Sequence, residues 1–489
     1  MRAGSGITRR QLLRHGAQGA AGLALAGLGG ELITHTFASG SKAPPRAPDW
    51  RSRPDLKIPG LTVTQSEPGA SAEPIFIAPY NAPRGAQAGA VIVDALGQPI
   101  WENPLANKVT TNFRVQSYRG SRVLTWWEGF IELGHGVGEY VIADASYRTV
   151  RRVRAGRGLH ADLHEFLITP QQTALYTSYL VRPADLRSVG GPRNGTIQDA
   201  IFQEQDLATG EILLEWHSLD HVALEESYSP VSRDWDFFHM NSIDIDRDGS
   251  LLISARSTHT VYKLDRRSGA VLWRLGGKRN DFELGAGAGF AWQHDARRRL
   301  DGTMTLFDNG ATPAVEPRSR GLILELDERA MRAALISQYT HPHVLAGSQG
   351  NVQLLPGGNV FVGWGEIPRV SEFHRSGQLV FDAILGKDYE CYRAFRLPWR
   401  ATPAEAPALA LAREPSGELT AYASWNGATD VAAWRLLAGA SATALGPVSA
   451  TRATGFETAI RTGARGPSFA VQALDAGGAA MGRSAAVSV

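Results

Sequence analysis

The sequence is poor in cysteine, in charge and in long apolar runs, and each shortage excludes a class of protein. Its 489 residues contain one cysteine, Cys391, so no internal disulfide can form. Only 20% of the residues are charged, and the formal net charge of +2 gives no support to nucleic-acid binding. No stretch matches the roughly 20 apolar residues of a membrane-spanning helix. The chain has instead 53 glycines and 26 prolines, which is typical of a turn-rich, all-β globular protein.

The N-terminus has the pattern of an export signal. Residues 8–14 read TRRQLLR and precede a mild Gly/Ala/Leu stretch from 16 to 30. Residues 1–38 therefore resemble a twin-arginine signal, which predicts export to the periplasm or the cell exterior and no stable membrane span after its removal. A basic N-terminal helix is the alternative. Residues 39–73 are rich in Pro, Ser and Ala, and we expect a linker or an arm wrapping the main domain.

One pattern then recurs six times: an apolar alternation, a marker residue, a turn and a second alternation. The markers are Asp94, Asp144, Asp206, Asp265, Asp327 and His374. Each copy follows another hairpin with a glycine turn, so each unit contains four strands. Six four-stranded sheets closing in a ring predict a six-bladed β-propeller over residues 74–400. An open solenoid is the alternative.

The C-terminal part, residues 405–489, has a different composition. It is poor in aspartate and rich in alanine, and it contains about seven short alternating runs. That number of strands predicts a β-sandwich resembling a fibronectin type III or immunoglobulin-like module, with Trp425 and Trp434 in its core. We expect an accessory domain and assign no chemistry to it.

The repeat register brings polar residues together. Aligning the first strands of successive units on their glycine turns places Asn241 opposite His294, and one extra turn residue places His164 there as well. First strands are innermost in a propeller, so equivalent positions converge at one end of the axis. We expect His164, His239, Asn241 and His294 to line one pocket. For any single histidine, a buried structural role is the competing interpretation.

An ordered set of motifs resembles the bacterial arylsulfotransferase (aryl-sulfate sulfotransferase) family over roughly residues 55 to 395. The motifs are DWDFFHMNSI at 234–243, LISAR at 252–256, WRLGG at 273–277, QHD at 293–295, FDNG at 307–310 and SR at 319–320. The resemblance implies a six-bladed propeller that moves a sulfuryl group from a phenolic sulfate ester to a phenol. Transfer in this family passes through a sulfated histidine, without the usual nucleotide sulfate donor.

The resemblance also implies roles for individual residues. His294 would be the nucleophile, and four residues would bind the sulfuryl oxygens: His164, His239, Asn241 and Arg256. His160 competes with His164 because it stands four residues earlier, and Arg320 competes with Arg256 as the anion clamp. Sulfuryl transfer makes the same demands independently, because it needs a nucleophile in line with the leaving group and fixed donors around the negative oxygens.

Weaker candidates surround this set. Asp295 and Asp308 could orient a histidine or could be ordinary turn aspartates, and Asn309 belongs to the same FDNG motif. Trp364, with Trp126 and Trp127, could form an aromatic wall for a phenol, although propeller sheets also bury tryptophans routinely.

The sequence supports no cofactor or metal. Asp244, Asp246 and Asp248 begin like a calcium loop, but position twelve is Ala255 rather than Glu, which favours a hairpin turn. The Gly276-Gly277-Lys278 run lacks the earlier glycine of a phosphate loop. A quinone-dependent dehydrogenase and a non-catalytic exported binding propeller remain as alternatives. We expect phenolic sulfate donors and phenol acceptors as ligands, and the oligomeric state stays open.

Overall fold

The computed structural model describes residues 48–342, 344–386, 388–415 and 418–489. Within them the structure is all-β apart from three short 3-10 helices, at Arg187–Val189, Ser218–Asp220 and Leu224–Glu226. No helix in these ranges has the length and hydropathy needed to cross a membrane. The twin-arginine signal predicted at 1–38 and the first part of the arm, 39–47, lie outside the described residues.

Six antiparallel sheets follow one another along the chain, each with a core of four strands. Sheet 1 contains Ile75–Ile77, Gly89–Val93, Pro99–Pro104 and Phe395–Arg396. Sheet 2 contains Val109–Tyr118, Ser121–Glu132, His135–Ala143 and Thr149–Val153. Sheet 3 contains Phe166–Ile168, Thr173–Ala184, Gly195–Asp206 and Ile212–His217, with Asp234–Trp235 added beside the third strand.

The other three sheets repeat this plan. Sheet 4 contains Met240–Ile245, Leu251–Ala255, Thr260–Leu264 and Val271–Gly276. Sheet 5 contains His294–Arg298, Met304–Asp308, Arg320–Asp327 and Arg332–Thr340, with Glu283–Leu284 added at its edge. Sheet 6 contains Asn351–Leu354, Val360–Gly363, Arg369–Phe373 and Leu379–Ile384, with Thr62–Ser66 at its edge.

The recurring marker residues occupy the same turn in every sheet. In sheets 2 to 6 this turn joins the third and fourth strands. In sheet 1 it joins Gly89–Val93 and Pro99–Pro104, which are third and fourth in the hydrogen-bonding order that begins with Phe395–Arg396. Asp94 shows why aspartate suits this turn, because its Oδ1 accepts hydrogen bonds from the backbone N–H groups of Leu96 at 2.9 Å and Gln98 at 2.8 Å. Asp265 accepts from Arg267 and Ser268 in the same way. The sequence period therefore reflects a repeated turn geometry.

Apolar cores lie between neighbouring sheets. Leu175 and Phe202 of sheet 3 are fully buried against Ile243 and Leu251 of sheet 4. Apolar faces packed in this sequential way give a propeller-like β fold. The two ends of this region also interlock, because Phe395–Arg396 pairs with Ile75–Ile77 in sheet 1 while Thr62–Ser66, from the predicted arm, pairs with sheet 6.

The first strands of sheets 2, 4 and 5 are irregular near their beginnings. Their pairing with the second strands shifts between Thr111 and Arg114, between Met240 and Ser242, and between His294 and Arg297. His239 and Asp295, beside two of these shifts, have left-handed φ values of +54° and +57°. Bulges and left-handed residues re-aim side chains, and they are enriched next to functional sites.

Two further sheets share one apolar core, which includes the buried Trp425 and Trp434. Sheet 7 contains Ala408–Arg413, Leu419–Ser424 and Glu457–Thr462. Sheet 8 contains Ala433–Gly439, Leu445–Arg452, Ser468–Leu474, Ala480–Arg483 and Val487–Ser488. Trp50 packs against Phe456 and donates to the buried Glu102, so residues of the predicted arm contact both this region and sheet 1.

Candidate active site

Three histidines line one cavity of about 1060 Å³: His164, His239 and His294. They stand at or just before the first strands of sheets 3, 4 and 5. The wall also includes residues 80–82, 104–109, Phe130 and Tyr392. The volume lies just above the range of about 300–1,000 Å³ for sites that enclose drug-sized ligands.

His294 is held by an amide, and this fixes its tautomer. Asn309 donates from Nδ2 to the carbonyl oxygens of Ala346 and Gln349, both at 3.0 Å, so its Oδ1 must face the histidine. His294 Nδ1 lies 2.7 Å from that Oδ1 and is therefore the protonated nitrogen. Nε2 carries the lone pair, and the backbone N–H of Gln349 donates to it at 3.2 Å.

The surroundings of His294 keep the imidazole neutral. The residue is 1% exposed, and burial is the largest cause that lowers the pKa of His294 well below its ordinary value. The positive charge of Arg256 lowers it further. A neutral imidazole with a defined Nε2 lone pair is the nucleophilic form of histidine.

His239 is held by a carboxylate, Asp236, through its Nδ1. The same Oδ2 of Asp236 also contacts Nε2 of His135 at 3.1 Å, and the His135 ring stacks on Tyr179 with 3.7 Å between centroids. Burial lowers the pKa of His239 to about 4, more than the charge of Asp236 raises it. With Nδ1–H directed at Asp236, Nε2 of His239 is the nitrogen left for a ligand.

His164 has the same arrangement with Asp162. Its Nδ1 lies 2.6 Å from Oδ2 of Asp162, which also accepts from the hydroxyl of Thr177 at 2.8 Å. Burial alone would raise the pKa of Asp162, but the nearby His164 and His135 hold it below its usual value. The rings of His164 and His239 are 4.9 Å apart, so two carboxylate-held histidines stand side by side.

Arg256 and Asn241 lie close to this cluster without lining the cavity. Arg256 packs over the Trp292 ring at 4.8 Å and donates from Nη2 to the Gly347 carbonyl at 3.0 Å, while its buried Nε has no hydrogen-bond partner. Asn241 is fully buried and spans sheets 4 and 5, since Nδ2 donates to the Gln293 carbonyl at 2.8 Å and Oδ1 accepts from the Asp295 N–H at 3.3 Å.

Arg320, Asp308 and Asp295 are occupied by ion pairs. Arg320 Nη2 lies 2.6 Å from Asp308 Oδ2, and burial still raises the pKa of Asp308 to about 6. Asp295 lies 2.7 Å from Nη2 of Arg297 and 3.2 Å from Nε of Arg393. Both aspartates therefore contact arginines, and the contact to His294 is made by Asn309.

Below the histidines lies a buried charge network. Glu165 pairs with three arginines, at 2.8 Å with Arg114, at 3.3 Å with Arg393, and with Arg297. These residues come from sheets 2, 3 and 5 and from the segment before the last strand of sheet 1. A buried carboxylate with this many partners fixes the relative positions of the strands that carry the histidines.

His160 and Trp364 lie apart from the cavity lining. His160 is exposed, and its carbonyl accepts from the Ser178 hydroxyl at 2.7 Å. Trp364 is fully buried between Phe307 and Phe373, and Nε1 donates to the Ser371 hydroxyl at 2.9 Å. These contacts belong to the packing of the sheets.

Two groups of side chains have the composition of a metal site. They are His135, Asp162 and His164, and His135, Asp236 and His239. In each group a histidine Nδ1 is hydrogen-bonded to the carboxylate, so a hydrogen bond accounts for that close pair. At the calcium-like loop, the ammonium of Lys263 lies 2.9 Å from Asp246 and 2.8 Å from Asp248, so a lysine takes the place that a cation would have.

Sequence reasoning missed several of the residues that hold the histidines. Asp162 and Asp236 stand two and three positions before His164 and His239, so an acid close to each cavity histidine was a usable signal. His135 and Gln349 come from other parts of the chain, 104 residues before His239 and 55 residues after His294. No spacing pattern connects such positions.

A comparison with models of protein families identifies the family to which the chain belongs. The fold is an all-β, propeller-like one whose cavity is built from histidines with fixed tautomers. Residues 114–386 match the model of the arylsulfotransferase (ASST) family, and the chain belongs to this family. Membership supports arylsulfotransferase activity in the broad sense. A comparison with curated proteins returns no match.

Three solved structures illustrate a distant similarity. A Bacteroides caccae protein of unknown function is 12% identical, with 66% of this chain and 98% of that chain covered and a TM-score of 0.41. A Lactobacillus plantarum protein is 12% identical, with 80% and 99% covered and a TM-score of 0.37. Virginiamycin B lyase from Staphylococcus aureus is 10% identical, with 75% and 97% covered and a TM-score of 0.35.

Proposed function

We propose that the protein is a nucleotide-independent aryl sulfotransferase that works by a ping-pong mechanism through a sulfated His294. Donors are phenolic sulfate esters and acceptors are phenols. The observation that carries the proposal is the contrast in one cavity between a histidine held by the neutral amide of Asn309 and two histidines held by carboxylates. The first suits a nucleophile, and the other two suit groups that donate to charge or move protons.

In the first half-reaction, the Gln349 N–H gives up its hydrogen bond to Nε2 of His294. Nε2 then attacks the sulfur, and the bond from sulfur to the phenolic oxygen breaks. The Nδ1–H of His294 keeps its hydrogen bond to Asn309 Oδ1, so the sulfated imidazole remains protonated at Nδ1. The leaving phenolate takes a proton from His239 or His164, once either has become protonated. The anionic donor supplies the charge that favours this protonation, because a nearby anion raises the pKa of an imidazole.

In the second half-reaction, the phenolic oxygen of the acceptor attacks the same sulfur and the bond from sulfur to Nε2 breaks. His294 departs as the neutral imidazole from which it started. The acceptor's proton passes to the free Nε2 of His239 or His164. The carboxylate behind each histidine stabilises the imidazolium that forms, as in other Asp–His pairs.

Arg256 supplies positive charge beside this path. Its Nε is buried without a partner, and such a donor costs stability unless it gains an acceptor. A sulfuryl oxygen is an acceptor of the required kind. Arg320 is committed to Asp308, which favours Arg256 as the anion clamp.

The finer architecture also belongs to this proposal. Sheets 1 to 6 would be six blades of one propeller over residues 74–400, closed by the pairing of Phe395–Arg396 with sheet 1. Sheets 7 and 8 would form the fibronectin type III-like sandwich at 405–489. Three strands in one sheet, five in the other and a shared core support that interpretation.

Export by the twin-arginine route is a further part of it, and the Arg9-Arg10 pair motivates it. Changing both arginines to lysine should leave the protein inside the cell, measured by fractionation and immunoblotting. Unchanged export of this variant would contradict a twin-arginine signal.

The central experiment mixes enzyme with an aryl sulfate and no nucleotide. We expect a burst of one equivalent of phenol per active site, followed by turnover only when an acceptor phenol is added. Mass spectrometry of rapidly quenched enzyme should find one acid-labile sulfuryl group on the peptide containing His294. Activity should persist in a chelator; loss restored by a divalent cation would assign a metal to the groups around His135. Absence of a burst would overturn the mechanism.

A further inference from the structure

Glu390 gives the cavity a negative charge whose purpose the sulfuryl chemistry leaves unexplained. Its Oε2 accepts from the Tyr80 hydroxyl at 2.9 Å and from Gln349 Nε2 at 2.6 Å, and its Oε1 accepts from Asn81 Nδ2 at 2.9 Å. All three donors are neutral. Among the residues that the structure describes, these three neutral groups are the hydrogen-bond partners of the carboxylate.

The carboxylate is close to the proposed nucleophile. Gln349 donates from its side chain to Glu390 and from its backbone N–H to Nε2 of His294, at 3.2 Å. One glutamine side chain therefore separates the two groups. A carboxylate offers about four acceptor positions. Three of them are used, and one lone pair on Oε1 is available for a ligand.

An anionic wall is unfavourable for the sulfate donor, because like charges repel most strongly where solvent is partly excluded. The cavity lining does little to offset it. Lys108, which lines the same cavity, is already paired with Glu128 at 3.2 Å. The lining instead provides three aromatic rings, those of Tyr80, Phe130 and Tyr392. Carboxylates and aromatic faces together stabilise organic cations.

We infer that Glu390 binds a positively charged group of the acceptor, so that the preferred acceptors are phenols carrying an ammonium group. This inference rests on the proposed function, since it names the substrate class of the second half-reaction. The cavity then has two ends of opposite character. The histidines and Arg256 serve the sulfuryl anion, and Glu390 serves the acceptor cation.

A general-base role for Glu390 fits the contacts less well. Its three donors stabilise the ionised carboxylate, and uptake of the acceptor's proton would weaken those hydrogen bonds. His164 and His239 direct their Nδ1 atoms at carboxylates and keep Nε2 for the cavity. They can take the phenolic proton without breaking an existing contact.

The test compares three acceptors of similar size with one aryl sulfate donor. They are 4-(2-aminoethyl)phenol, 4-(2-hydroxyethyl)phenol and 4-hydroxyphenylacetate, which carry a positive, zero and negative charge. In the unchanged protein we expect kcat/KM to be about tenfold higher for the amine than for the neutral phenol, and lowest for the acid. Raising the ionic strength should reduce this preference.

Glu390→Gln removes the charge and keeps an amide oxygen that can accept from Tyr80 and Gln349, while its NH2 takes the position that faces Asn81. The ratio of kcat/KM for the amine to that for the neutral phenol should fall to about one. Asn81→Ala is the matched control, because it removes one donor and leaves the charge, so the ratio should remain near ten. If Glu390→Gln does not fold, equal kcat/KM for the amine and the neutral phenol in the unchanged protein would still overturn the inference.

Three results would overturn the inference. They are equal kcat/KM for the amine and the neutral phenol, a preference for the amine that survives Glu390→Gln, and an equal loss for all three acceptors, which would point to a general base. Calorimetric binding of the same three phenols, without a donor, separates this inference from the proposed function. A missing burst with aryl sulfate alone would count against sulfuryl transfer, whereas the binding series reports on Glu390 independently.

Discussion

The cavity holds its histidines in two different ways. On the side of sheets 3 and 4, His164 and His239 direct Nδ1 at the carboxylates of Asp162 and Asp236. On the side of sheet 5, His294 directs Nδ1 at the neutral amide of Asn309. A carboxylate stabilises the protonated imidazole, whereas an amide fixes the tautomer without stabilising the charge.

This difference separates the roles of similar side chains. A nucleophile must keep its lone pair, and the burial and the neutral partner of His294 both serve that need. A histidine that moves protons must be able to exist as neutral imidazole and as imidazolium, and a carboxylate partner lowers the free energy of the imidazolium. The partners therefore distinguish histidines that the repeat places at or just before corresponding strands.

The largest expected effect comes from making the same substitution on both sides of this comparison. His294→Asn should abolish the phenol burst, a loss on the order of 10⁴-fold or more, because the group that carries the sulfuryl is removed. His239→Asn should keep a full burst at a rate about a hundred- to a thousandfold lower, because only a donor is lost. Rapid-quench measurement of released phenol distinguishes them. A normal burst in the His294 variant would move the nucleophile to another sheet.

The comparison also shows what the sequence can predict. The repeat spacing indicates four strands per unit, and six successive sheets have that content. It also places His164, His239 and His294 at corresponding strands, and these three line one cavity. Both features are local: they depend on turns and on strand alternation, which are encoded within a few residues.

Other contacts around the site are not local. Asn309 reaches His294 across one hairpin, but Arg393 reaches Glu165 over 228 residues and Tyr80 reaches Glu390 over 310. No periodicity relates such pairs. Asp295 and Asp308 illustrate the resulting ambiguity, because their positions beside His294 and Asn309 suggest a histidine partner whereas their nearest charges are arginines. Asn241 is a second example. It lies beside the start of the first strand of sheet 5, but its side-chain amide binds the backbone of Gln293 and Asp295.

Arg256→Ala should have the next largest effect on the burst rate. Its loss removes positive charge beside the sulfuryl oxygens and should slow the burst by about a hundredfold. It should also raise the pKa of His294, because the charge of Arg256 is one cause of its lowering. Arg320→Ala is the control for charge alone, and it should affect stability through Asp308 more than the burst rate. Equal losses of burst rate in both variants would contradict the choice of Arg256 as the clamp.

Exchanging the partner of His294 tests the comparison directly. Asn309→Asp places a carboxylate on Nδ1 and should raise the pKa of His294 toward neutrality. Below that pKa the imidazole is protonated and cannot attack, so the burst rate should fall by about tenfold between pH 8 and pH 6. The unchanged protein should show no such fall in this range. Asn309→Ala loses the same two contacts to Ala346 and Gln349 without adding charge, and it should lower the rate without moving the profile. Identical pH profiles for the two variants would refute the electrostatic explanation.

The smallest effect concerns His135, which shares Asp236 with His239 and stacks on Tyr179. We expect His135 to be a positioning residue that acts through Asp236. His135→Gln retains an N–H donor to the carboxylate, whereas His135→Phe retains a ring against Tyr179 and loses the donor. The Phe variant should lower kcat by about tenfold, the size of one hydrogen bond to a charged group, and the Gln variant should restore most of it. The Phe variant should also raise the pKa of His239, because His239 would then no longer share the Asp236 carboxylate with His135. The pH profile of the acceptor half-reaction should therefore shift to higher pH. A purely structural role would lower the melting temperature in both variants and leave that profile in place.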